Sequence, residues 1–176
     1  MAVKMSNFKY NKELTIKYPL AVNYPNILED IYSILTKEGC NSSSSSFKDK
    51  EITVIDGDKL EGEISRTAGR RQYKSIDIIF IIENTLVRKE TLIQLVELKC
   101  NCTTFASLGD KKSFTQKVRG AESNLGQFTP TSNTYYIIFE DNYIQQARRY
   151  LFRSHPVLNS QFKAIKAKQL FELFFN

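Results

Sequence analysis

The sequence predicts a single mixed α/β domain, a β-sheet flanked by helices. Three observations predict it. Apolar residues recur at helical spacing after Pro25 and again after Asp110. Two stretches of strand length, Ile78–Ile82 and Leu92–Leu98, are almost wholly apolar. Helical and extended stretches then alternate along the chain, as in a layered α/β fold.

Residues 1–24 mix Lys, Asn and Tyr with short apolar pieces and suit a peripheral turn or strand. Pro25 suits the first turn of a helix over 25–38, with Ile27, Leu28, Ile31, Ile34 and Leu35 as its apolar face, Glu29 and Asp30 near its start and Gly39 as its stop. Asn41 and the five serines that follow read as a loop. Glu51–Ile55 reads as a strand turned by Asp56-Gly57-Asp58, and Leu60–Arg66 as a second strand. Thr67–Arg70 would turn it into a third, from Arg71 to Ile82. The open end of that hairpin carries Arg66, Arg70, Arg71 and Lys74. Residues 85–91 fit either a turn of helix or an extended link. Leu92–Lys99 is a strand by its β-branched and apolar content. Residues 103–110 read as a loop, 111–124 as a helix with Phe114, Val118, Ala121 and Leu125 in its stripe, and Tyr135–Phe139 as a strand. A helix over 142–153, limited by Pro156, and a final helix or a helix plus tail over 159–175 complete the chain.

No internal repeat or strong boundary divides residues 1–176, so one domain is expected. A hydrophobic content of 41% is ample for a core without disulfides or a structural metal. Tyr135, Tyr136, Phe139, Phe152, Phe171, Phe174 and Phe175 read first as core, with an oligomer contact as the other use of the C-terminal ones. The net charge of +6 modestly favours polyanionic partners. Three cysteines, an odd number, argue against a disulfide scaffold and for reduced thiols in a cytoplasmic protein. Cys100 and Cys102 would face opposite sides of a strand. His155, the single histidine, has no partners for a nucleophilic site. No stretch has the length of a signal core or a membrane span, so no membrane association is expected.

The chemistry is carried by an energetic anomaly. Asp77 is the one ionisable residue in Ser75–Ile82, and Glu97 and Lys99 interrupt the similarly apolar Leu95–Cys100. Glu97 and Lys99 are two apart, so a strand turns both to one face. A buried carboxylate costs several kcal/mol unless it is paired or metal-bound, and a second carboxylate beside it adds repulsion. A divalent cation removes both penalties, and Mg²⁺ accepts a site of few carboxylates because it keeps several waters. Asp77 and Glu97 are therefore candidate metal ligands. Lys99 is the candidate group that orients or deprotonates an attacking water or contacts the phosphate.

Ser75-Ile76-Asp77 (SID) and Glu97-Leu98-Lys99 (ELK) resemble the motif of the PD-(D/E)XK nuclease superfamily, the restriction-endonuclease-like fold, with Ile76 where the family commonly has proline. The resemblance implies an αβββαβ core over about residues 25–140, followed by a C-terminal helical extension over 141–176. It implies that Asp77 and Glu97 bind Mg²⁺ or Mn²⁺ with the backbone carbonyl of Leu98, and that Lys99 is catalytic. It also suggests Glu29 as a further metal ligand, and Gln116 or Lys117, from the helix after the catalytic strand, as a polar or basic group of the centre. Arg66, Arg70, Arg71 and Lys74 are expected to contact phosphates.

The expected activity is metal-dependent hydrolysis of nucleic-acid phosphodiesters, on DNA ahead of RNA. A non-catalytic member of the same fold, binding nucleic acid or protein, is the alternative. A third reading is a partner-bound component, such as a subunit of a defence or mobile-element system or a toxin-immunity protein, its specificity supplied by a homodimer or a protein partner.

Overall fold

A strand that is apolar at every position must be covered on both faces, and Ile78–Ile82 is such a strand. The computed structural model, which describes residues 7–41, 44–102, 111–154 and 161–176, supplies both covers. In chain order its elements are β1 (Phe8–Tyr10), α1 (Lys12–Ile16), α2 (Pro19–Asn23), β2 (Leu28–Asp30), α3 (Ile31–Lys37), β3 (Thr53–Asp56) and α4 (Gly57–Ala68). Then follow β4 (Ile78–Asn84), β5 (Thr91–Leu98), α5 (Lys111–Leu125), β6 (Tyr135–Ile138), α6 (Ile144–Ser154), β7 (Phe162–Ile165) and α7 (Ala167–Phe174).

The strands form one mixed seven-stranded sheet in the order β2-β3-β4-β5-β6-β7, with β1 paired to the far end of β4. Strands β2 to β5 are antiparallel neighbours, whereas β5, β6 and β7 run parallel. Alternate residues of β4 and β5 feed two cores. Ile79, Ile81, Ile93 and Leu95 pack with Phe114, Val118 and Ala121 of α5. Ile78, Phe80, Ile82, Val96 and Leu98 pack with Ile31 and Leu35 of α3 and Leu170 and Phe174 of α7.

Several expected elements are different. Residues 25–38 are not one helix. A short 3₁₀ turn (Pro25–Ile27) leads into β2, which pairs with β3, and Asp30 caps α3 by accepting from the Ser33 amide. Residues 60–66 are helix, not strand. The Asp56 side chain accepts from the Lys59 amide at 3.0 Å, so the expected turn is the start of α4. Leu60, Glu61 and Ser65 then lie on one buried side of the helix, and Gly69, at φ +62°, closes it in the left-handed conformation. There is consequently no hairpin before β4, and no regular structure spans residues 71–77. The αβββαβ order is not seen, because a helix stands where one of its strands was expected.

Residues 162–165, expected to be helical, form β7, and the C-terminal region is therefore not a helical extension alone. Phe152 is 71% exposed and is not core. Cys40 and Cys100 are joined in a disulfide, which corrects the reading of reduced thiols. Both side chains lie in the core under α3, while Cys102 turns to the other core, the expected opposition of residues 100 and 102. The loop expected over 103–110 and His155 lie outside the described residues. Among the described residues no helix is long and apolar enough to cross a membrane.

Candidate functional site

Strands β4 and β5 pair with Ile78 opposite Val96 and Ile79 opposite Leu95. One further step along that register sets Asp77 opposite Glu97. Cross-strand partners share a face, and Ile79 and Leu95, two residues along, face the core beneath α5. Asp77 and Glu97 therefore point the same way, toward α5. The Asp77 backbone is held by α4, whose Gly57 amide donates to the Asp77 carbonyl at 3.0 Å. This approach requires glycine, since a Cβ on Gly57 would stand 1.7 Å from the Ile76 carbonyl oxygen.

The Asp77 carboxylate accepts from the Leu98 amide at 2.6 Å. Burial first, and the neighbouring Glu97 charge second, push its pKa up to about 8, against the opposing effects of Lys117 and the Leu98 amide. Glu97 is only 2% exposed. Its Oε1 receives both Lys99 Nζ at 2.7 Å and Lys117 Nζ at 2.5 Å. Its Oε2 is buried without a hydrogen-bond partner. An unsatisfied buried carboxylate oxygen is expensive, and a water, a ligand or an ion would satisfy it. Burial pulls Lys117 down, but Glu97 and Asp77 outweigh it and raise its pKa, so the ammonium stays charged. Lys99 Nζ also lies 5.8 Å from the centre of the Phe114 ring. Asp58, in the first turn of α4, adds negative charge that acts on both Asp77 and Lys117, and it accepts a hydrogen bond from Ser75 Oγ.

No protein-family model, curated protein or solved structure matches the chain. Its chemistry is therefore argued from this geometry. Among the described residues, no three His, Cys, Asp or Glu side chains gather to hold a metal ion. Asp77 and Glu97 are two carboxylates, a set that suits an ion keeping most of its water, as Mg²⁺ does. The unpartnered Glu97 Oε2 and the high pKa of Asp77 are the observations that fit such an ion. The pair sits where β5 ends beside its parallel neighbour β6, the end of a parallel sheet at which α/β folds commonly bind ligands.

The other expected site residues divide. Lys117 joins the centre because it lies within the buried stripe of α5, between Phe114 and Ala121. Gln116, about 100° round the helix, is exposed. Leu98 brings only its backbone, since its side chain belongs to the opposite core. Glu29 is not brought to the centre. It lies in β2 opposite Val54, a residue of that opposite core, and pairs with Lys59 at 2.7 Å. Arg66 is on α4 and pairs with Glu63, whereas Arg70 pairs with buried Glu61. Neither caps a hairpin. Arg71 and Lys74 are exposed on the segment leading to Asp77, with Lys74 Nζ 3.3 Å from Ser113 Oγ on α5.

Asp58, Glu61 and Tyr73 were not singled out by sequence, and Ser75 was named only as part of the SID motif. The signal that reveals the first two is Asp56-Gly57-Asp58 read as a helix start, which sets Asp58 in the first turn and Glu61 one turn on.

Proposed function

We propose that this chain hydrolyses nucleic-acid phosphodiesters with a divalent cation, Mg²⁺ or Mn²⁺, on DNA ahead of RNA. The observation that carries the reading is the Asp77–Glu97 pair: Asp77 just before β4 and Glu97 near the end of its neighbour β5, close enough for the Glu97 charge to act on Asp77, one carboxyl with a raised pKa and the other with a bare buried oxygen. Bound there, the cation supplies charge to polarise a phosphate and acidify a water. Asp77 and Glu97, with the Leu98 carbonyl, would hold it. Lys99, part-exposed beside Glu97, would orient or help deprotonate the attacking water or contact the phosphate. Lys117 fixes Glu97 and offsets its charge. The SID and ELK motifs add the nuclease resemblance, and the succession β4, β5, α5, β6 keeps the later part of that fold's expected order.

The test is incubation of the protein with Mn²⁺ or Mg²⁺ and end-labelled single- and double-stranded DNA and RNA. Cleavage is expected, abolished by chelator and lost in Asp77→Ala and Lys99→Ala variants that remain folded by circular dichroism. Absence of cleavage together with absence of Mn²⁺ binding by calorimetry overturns the reading. The non-catalytic alternative has one observation in its favour, the two lysines that already neutralise Glu97. Oligonucleotide binding that never leads to cleavage would select it.

A further inference from the structure

Residues 70–77 follow no regular pattern, yet a buried carboxylate is committed to holding them. Glu61, on α4, is 3% exposed. Its Oε1 accepts from Arg70 Nη1 at 2.6 Å and from the Tyr73 amide at 2.7 Å. Its Oε2 accepts from Arg70 Nη2 at 3.3 Å and from Asn124 Nδ2 of α5 at 2.7 Å. A carboxylate with this many donors is a rigid anchor. It holds the backbone of Tyr73 and, through it and Arg70, supports a ring that faces water. Tyr73 is 64% exposed, and the Arg70 guanidinium lies 4.2 Å from its ring centre. An exposed tyrosine needs no such support for stability. A fixed aromatic surface is what a stacking partner requires, because its ordering entropy is already spent.

We propose that Tyr73 is a stacking platform for an unpaired nucleobase, so that the substrate of the Asp77–Glu97 centre presents single-stranded nucleic acid. The proposal rests on the nuclease reading and names its substrate class. Every base has a π-face, so one ring serves any sequence, whereas paired bases in a duplex keep their faces covered by neighbours. Tyr73 is four residues before Asp77, which limits their separation to about 14 Å, a span that a single strand crosses in a few nucleotides. Exposed Arg71 and Lys74 lie on either side of Tyr73 in the sequence and suit phosphates of the same strand. Arg70 is a positioning residue here: its guanidinium is occupied by Glu61 and by the ring.

The experiment uses the whole protein in chelator, so that binding is read without cleavage. Short oligonucleotides carrying 2-aminopurine are compared as single-stranded DNA, single-stranded RNA and blunt duplex, by anisotropy and by the probe's own fluorescence. Tighter binding of a single strand than of the duplex is expected, with the probe quenched by stacking. Tyr73→Phe keeps both signals. Tyr73→Leu, which retains bulk but not the π-system, loses the quench and binds roughly ten- to a hundred-fold more weakly. The DNA and RNA arms identify which strand is bound. The platform is overturned if Tyr73→Leu binds and quenches like the parent, if the duplex binds as well as the single strands, or if no oligonucleotide binds. Single-strand binding and quenching without cleavage in Mn²⁺ overturns the nuclease reading and leaves the platform standing. Cleavage by a Tyr73→Leu variant with undiminished binding overturns the platform alone.

Discussion

Asp77 and Glu97 show how neighbouring positions of one apolar sheet reach different solutions to buried charge. Glu97 takes two lysines, whereas Asp77 takes one backbone amide and has its pKa pushed up to about 8. An unfolded aspartate titrates near 3.9. Between those values the folded protein holds a proton that the unfolded chain releases, so stability falls as pH rises from about 4 to about 8. Asp77→Asn removes that dependence, and its amide oxygen can still accept from Leu98. Its stability advantage over the parent is expected to be near zero at pH 4 and to reach about 2 kcal/mol or more at pH 8, below a ceiling of about 1.4 kcal/mol per pH unit. Urea denaturation across that range checks it, and a flat difference would show that Asp77 is ionised in the folded state. Asp77, Glu97 and Lys99 were legible in the sequence because each is an isolated ionisable residue in an apolar strand. Glu61 was not, because reading 60–66 with a period of two hides the helical spacing of Leu60, Glu61 and Ser65.

Among the elements, those recovered correctly are those whose local signals agree with their packing. Apolar content located β4 and β5, and the Phe114-Val118-Ala121 stripe located α5. The failures are places where short segments satisfy two patterns. Residues 53–68 contain a strand and a helix separated by Asp56, whose side chain decides between turn and cap only when it meets the Lys59 amide. Residues 162–165 become a strand because β6 offers an edge for parallel pairing, which no local pattern announces. The Cys40–Cys100 disulfide likewise depends on long-range packing, joining residues 60 apart in sequence from the end of α3 to the end of β5. Closing a loop of that length contributes about 4 kcal/mol through the unfolded chain. Cys40→Ser, or a dithiol reductant, is therefore expected to lower the thermal midpoint by roughly 10 °C, while Cys102→Ser leaves it nearly unchanged. A midpoint indifferent to reductant would show that the two sulfurs are not joined. Because Cys100 directly follows Lys99, the same link restrains the strand end that carries the lysine.

Across the whole molecule, the sheet brings the centre together at one end, with α4 holding Asp77, β5 carrying Glu97 and leading directly into Lys99, and α5 delivering Lys117. A cation bound there would link to global stability and would contribute about 2.7 kcal/mol at a hundredfold excess over its dissociation constant. Mn²⁺ is expected to raise the thermal midpoint of the parent and not that of Asp77→Ala. The rise should be larger at pH 8 than at pH 6, since binding must displace the Asp77 proton. Equal shifts in parent and variant would place the ion elsewhere. The sequence by itself determined the α/β class, the two central strands, α5, and the presence of Asp77, Glu97 and Lys99 within or beside apolar strands, because burial and periodicity are local properties of composition. Only the tertiary structure decided that Asp77 and Glu97 oppose each other, that Lys117 and not Gln116 or Glu29 joins them, and that Arg70 supports Tyr73. Those outcomes depend on strand register and helix rotation, which are set by contacts between segments far apart in the chain.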